Sequence, residues 1–198
     1  HHQTMKAKSL LLSLLLLVSL GAYAQDAAQG AKKYGFKSAI TKMNTDMMGQ
    51  TIETTGYIDN YGALECQKVT MDVPGMGKFE TAVISKEGKS WQVNYTMKQV
   101  EETPVQEQVN FLEISDADVE KYKIKEIGKE TLLGKECTVY SVENEVQGMK
   151  ANLTVSVYKG IAFKTVTEVQ GYKIVITMTE FQEDAMVLPQ VFDIPKFK

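Results

Sequence analysis

The chain has 198 residues, with 22 Lys+Arg against 25 Asp+Glu, a net charge of -3, 43% hydrophobic residues and 2 Cys. That is an ordinary globular balance for one domain, long enough to bury a core without staples. Every basic residue is Lys and the only histidines are His1 and His2, which excludes His-based triads, His metal sites and Arg clamps, while the mildly acidic balance argues against nucleic acid.

The first segment reads as an address. Lys6 and Lys8 precede an almost purely apolar run from Leu10 to Leu20, and Ala22-Tyr23-Ala24 is a small-x-small cleavage site. The run is shorter than the roughly 20 residues that span a bilayer. Residues 1–24 are therefore expected to be a cleaved secretory signal with a few upstream residues, and 25–198 a single β-rich domain. No Cys near the cleavage site offers an acyl anchor. Residues 25–33 are expected to be helical or disordered.

From there the pattern is mostly period two. Candidate strands are 36–48, 51–59, 63–71, 79–85, 91–97, 123–130, 137–143, 151–157, 161–169 and 173–181, rich in Thr, Val, Ile and Tyr. The cleanest alternations are Trp91, Val93, Tyr95 and Met97, and Ala151, Leu153, Val155 and Val157. Gly-containing turns separate the runs at Gly49, Gly62, Gly88, Gly148, Gly160 and Gly171. A phase slip in 161–169 predicts a bulge near Thr165. Residues 99–110, polar and carrying Pro104, are expected to be a loop or a frayed turn. Ser115, Asp116 and Asp118 signal one short helix over 116–123, with Ile114 and Val119 as a hydrophobic staple.

Ten strands with one helix imply a mainly β (α+β) fold: a curled antiparallel sheet, an open half-barrel of about ten or eleven strands, with the helix over its concave face. That geometry makes a cavity. Its apolar lining is expected from Trp91, Val93, Tyr95, Met97, Leu153, Val155, Val157, Ile174, Ile176 and Met178, with Met43 and Met47. Met side chains adapt to irregular ligands, though they also fill gaps in ordinary cores. Exported Cys66 and Cys137 can form a disulfide or remain two separate core thiols. The acidic pairs fall at the helix start or at loop edges, so no catalytic residues, metal ligands or cofactors are assigned and the protein is not expected to be an enzyme.

Several stretches carry a resemblance. The leader, Tyr57-Ile58-Asp59-Asn60-Tyr61-Gly62, Leu133-Gly134-Lys135-Glu136-Cys137-Thr138-Val139-Tyr140, Tyr158-Lys159-Gly160-Ile161-Ala162-Phe163-Lys164-Thr165 and Phe192-Asp193-Ile194-Pro195 resemble an uncharacterised family of exported Gram-negative proteins. That family is itself similar to the outer-membrane lipoprotein carrier and sorting proteins, the LolA/LolB-like superfamily. The resemblance implies an open, roughly eleven-stranded half-barrel with an apolar groove; with the leader and no Cys beside its cleavage site, a periplasmic protein without a lipid anchor is expected. The resemblance further implies a carrier that shelters lipid or lipoprotein acyl chains, with transient contact to membrane or envelope proteins. Those carriers use a gating Arg, absent here, so no gating residue is carried over. Burying acyl carbons yields about 0.8 kcal/mol per CH2, so a chain of about 16 carbons offers roughly 12 kcal/mol before association costs. The alternative is a non-catalytic envelope structural or sensing module with a packed core and a protein partner.

Overall fold

The computed structural model describes residues 32–105 and 108–198. The expected leader and residues 25–31 lie outside them. Eleven strands follow in chain order: β1 (Ala39–Met47), β2 (Gln50–Asp59), β3 (Leu64–Val73), β4 (Gly77–Lys86), β5 (Lys89–Asn94), β6 (Gln99–Thr103), β7 (Lys125–Leu132), β8 (Lys135–Val146), β9 (Met149–Tyr158), β10 (Ile161–Val169) and β11 (Tyr172–Glu183). They form one unclosed antiparallel sheet in the order β6-β5-β4-β3-β2-β1-β11-β10-β9-β8-β7. The two outer meanders meet at the centre, where β1 pairs with β11. Among the described residues one α-helix, α1 (Asp116–Lys121), lies between the edge strands β6 and β7 in the chain.

Local chemistry explains the meander. Hairpin loops such as Lys159-Gly160 place both residues at positive φ, 46° and 86°, the turn whose twist matches that of the flanking strands. A Cβ on Gly160 would also lie 2.6 Å from the Lys33 carbonyl oxygen, so this turn needs glycine for space as well as for its dihedral.

Three expectations are corrected. Residues 99–103 form β6 rather than a loop: Val100 pairs with Val93, and polar neighbours suit an edge strand. Pro104 follows directly, where its missing N–H ends the ladder. β5 stops at Asn94 because Tyr95 to Lys98 form a turn, closed by the Met97 N–H donating to Asn94 Oδ1 at 2.9 Å. The bulge lies between Ala162 and Lys164, slightly before Thr165. A second register shift lies between Lys42 and Met43 opposite β11.

The helix begins as expected, with Ser115 Oγ accepting from the Asp118 N–H at 3.1 Å. It buries none of its own residues, and Val119 stays exposed. The apolar cover comes instead from its flanks: Val109, Phe111, Ile114, Tyr122 and Ile124 pack onto Tyr140, Val142, Leu153, Val155 and Val157. The face they cover is the inner face of the sheet. A connection joining the two edges of a curled sheet takes the chord, across the hollow.

Two further covers complete the core. The segment before β1 sends Tyr34 and Phe36 against Ala39, Ile58, Phe163 and Met178, with Phe36 edge-on to Phe181 at 5.4 Å. The tail after β11, including the 3-10 turn Pro189–Phe192, packs Phe192, Val191, Ile194 and Phe197 against Cys66, Ala82, Ile84 and Val93.

Candidate binding groove

Residues paired across neighbouring strands share a face, so the ladder registers assign each side chain to one side of the sheet. One row runs Gln92, Val83, Gln67, Gly56, Thr41 and Phe181. The next runs Asn94, Thr81, Val69, Thr54, Met43 and Met178. Thr45, Ile176, Thr165, Val155 and Tyr140 form a third. Met47, Ile174, Thr167, Leu153 and Val142 form a fourth. Because Tyr140, Val142, Leu153 and Val155 lie under the β6–β7 connection, all four rows belong to the inner face.

The expected lining residues therefore divide. Met43, Met47, Leu153, Val155, Ile174, Ile176 and Met178 share the inner face, and Val157 joins the same cluster as Val155. Trp91 and Val93 do not. Val93 pairs with Ala82, and Ala82 with Lys68, opposite in parity to Val83 and Gln67. This puts Trp91 and Val93 on the outer face, where Val93 is fully buried under the tail. Tyr95 packs in that cluster, edge-on to Phe197 at 6.3 Å. Met97 is 54% exposed on the β5–β6 turn. One of the two cleanest alternations in the sequence thus starts on a surface that the chain covers with its own C-terminal segment.

The inner face has residues that alternation did not single out. Val69, Met71, Val73, Phe79 and Val83, on β3 and β4, are half-buried. Below them, toward the end of the sheet that carries the Asn60–Gly62 turn, the wall becomes polar with Gln67, Gln92, Glu65 and Ser90. Parity counted from Ile58 through the Ile58–Glu65 pair finds all of them once the pairing is known.

Charge at this lower end is already matched. Lys33 Nζ lies 2.6 Å from Glu65 Oε1, both side chains buried. Burial pushes the Lys33 ammonium below its ordinary pKa, against the raising influence of Glu65. The segment is also held by the Lys33 and Tyr34 N–H groups, which both donate to the Tyr61 carbonyl. Nearby, Tyr158 Oη donates to Glu183 at 2.7 Å and Lys159 Nζ at 3.3 Å. The Tyr158 hydrogen bond, more than the Lys159 charge, draws the Glu183 pKa down.

Cys66 and Cys137 are both free and buried, in different clusters with five strands between theirs in the sheet. Of the two readings left open, two separate core thiols is the one observed. Burial raises both thiol pKa values, that of Cys66 to about 11, so neither is an activated nucleophile. Among the described residues, no group of three His, Cys, Asp or Glu could hold a metal ion, and no helix is long and apolar enough to cross a membrane. Three buried hydroxyls, of Thr41, Ser90 and Thr167, have no hydrogen-bond partner among the described residues. All three lie on the inner face, since Ser90 pairs with Ser85 and Ser85 with Glu65.

Solved structures share the fold of this open antiparallel sheet. The chain is similar to a chain of the Pseudomonas aeruginosa MucA/MucB complex, with TM-score 0.57 and 12% identity, covering 86% of this chain and 61% of that one. It is also similar to an uncharacterized conserved protein from Thermus thermophilus, with TM-score 0.54 and 15% identity over 87% of this chain and 94% of that one. A putative outer membrane lipoprotein-sorting protein domain from Vibrio parahaemolyticus is a further neighbour, with TM-score 0.33 and 12% identity over 86% and 94% of the two chains. No protein-family model matches the chain, and no curated protein sequence matches it. For the first two structures the likeness is one of fold, and it agrees with the half-barrel implied by the sequence resemblance.

Proposed function

We propose that this protein is a periplasmic, non-catalytic carrier that shelters the acyl chains of a lipid or lipoprotein on its inner face. The observation that carries the reading is the half-buried apolar stripe Val69, Met71, Val73, Phe79 and Val83. It continues the inner-face rows of Met43, Met47, Ile174 and Ile176 toward the β6 edge. Apolar area of this kind gains about 25 cal/mol per Å2 when removed from water, and no reactive group is needed to hold a chain there.

A second reading is an envelope module whose partner is a protein. It is supported by the extent of self-packing: three clusters already occupy the outer face of the β3–β5 half, the inner face of the central strands and the inner face of the β8–β10 half. The fold likeness to a chain of the MucA/MucB complex suits the same reading.

Native mass spectrometry of protein purified gently from its envelope separates the two. The carrier reading expects a mass excess that organic extraction removes. Met71→Gln with Phe79→Gln should abolish that excess while the melting temperature stays near wild type, because both side chains are half-exposed. Protein that carries no lipid, and takes up none from vesicles, would leave the protein-partner reading.

A further inference from the structure

We propose that the lower inner wall holds a neutral carbonyl, the ester or amide at the head of an acyl chain, between the Thr41 hydroxyl and the Gln67 side-chain amide. This rests on the acyl-binding reading and adds to it where the polar end of the ligand sits and what chemistry that end has.

Three residues paired in one row build the spot: Thr41 on β1, Gly56 on β2 and Gln67 on β3. A Cβ on Gly56 would collide with Thr41 Oγ1 and stand 2.9 Å from both Nε2 and Oε1 of Gln67. The missing side chain therefore lets a hydroxyl and a primary amide converge over bare backbone. Together they supply N–H and O–H donors and an amide acceptor.

Thr41 carries the argument. It is 1% exposed, and its Oγ1 has no hydrogen-bond partner among the described residues. A buried hydroxyl without a partner is destabilising, and valine would fill the same volume without that cost. A bound carbonyl that accepts from Thr41 and Gln67 would satisfy both. Gln67 is half-buried, so a ligand reaches its amide first. Beyond this row, toward the opposite end of the sheet, stand Met43, Val69, Met71 and Phe79, and the acyl chain extends over them.

Charge selects a neutral head. Glu101 ends the same row on β6 through its pairing with Gln92, and Glu65 lies one row below with Lys33 paired to it at 2.6 Å. A carboxylate or phosphate would enter a wall where Lys33 is already paired with Glu65. The ester and the amide share the carbonyl, and the probes below tell them apart.

The test uses the full chain and three probes of equal chain length: a fatty methyl ester, a fatty primary amide and the free fatty acid. Each displaces a fluorescent acyl reporter at neutral pH. The expected result is that the ester, the amide or both bind about tenfold tighter than the acid, and whichever is preferred names the linkage. Thr41→Val and Gln67→Leu should each shrink the preference to within about twofold, Thr41→Ser should keep it, and Thr41→Val should melt no lower than wild type. Equal binding of all three probes, or a preference that survives both substitutions in folded protein, overturns the subsite and leaves the acyl reading standing. Failure of every probe to bind overturns both.

Discussion

The two halves of the sheet solve the same covering problem on opposite faces. In the β3–β5 half, the tail seals the outer face, burying Val93, Ile84 and Cys66 beneath Phe192, and the inner face keeps its half-buried stripe. In the β8–β10 half, the connection between the edge strands seals the inner face over Val142, Val155 and Val157. A sheet of this kind has two apolar faces and limited chain to cover them. Where the covers lie, and where they do not, decides which part of the wall can meet a ligand.

Removing a cover tests that comparison most severely. Phe192→Ala should cost about 3–5 kcal/mol in urea unfolding, since the ring is 3% exposed at the centre of the outer cluster. A loss below about 1 kcal/mol would mean that the tail does not seal this half. The inner-face strap before β1 should be nearly as sensitive. Lys33→Met leaves Glu65 buried without its partner, at a cost of about 3 kcal/mol or more, whereas the Lys33→Met, Glu65→Leu double variant should recover most of it. Equal losses in the single and double variants would show that the ion pair is not what secures the strap.

Smaller effects sharpen the picture. Thr167→Val removes an unpartnered buried hydroxyl from the covered half and should raise stability by about 1 kcal/mol in the same assay. The smallest effect concerns pH. The Glu183 pKa is lowered in the folded state, chiefly by the Tyr158 hydroxyl, so the unfolded chain binds its proton first as pH falls. This stabilisation is complete above the ordinary carboxylate pKa and is lost as pH drops through the lowered one. Wild type should therefore lead Glu183→Gln modestly in urea midpoint at neutral pH and lose that lead in acid. A constant difference at every pH would dismiss the coupling.

Ten of the eleven strands were legible as alternation, because a half-buried strand writes its period into the chain. β6 was not: a short polar edge strand needs only one apolar pairing, Val100 with Val93. The helix was legible at its start, through Ser115 and Asp118, but its cover came from neighbours with no periodic signal. The candidate lining was legible only in part. Alternation shows that Val93 and Val155 each have a buried side, and nothing in either strand says that the two sides are opposite faces.

Spacing alone determined the hairpins of the antiparallel meander and their turns, since these depend on contacts between neighbours in the chain. Tertiary structure alone decided which apolar face stays partly open. Residues 187–197 and 109–124 reach strands far away in sequence, and long-range covering leaves no periodic trace in the strands it covers.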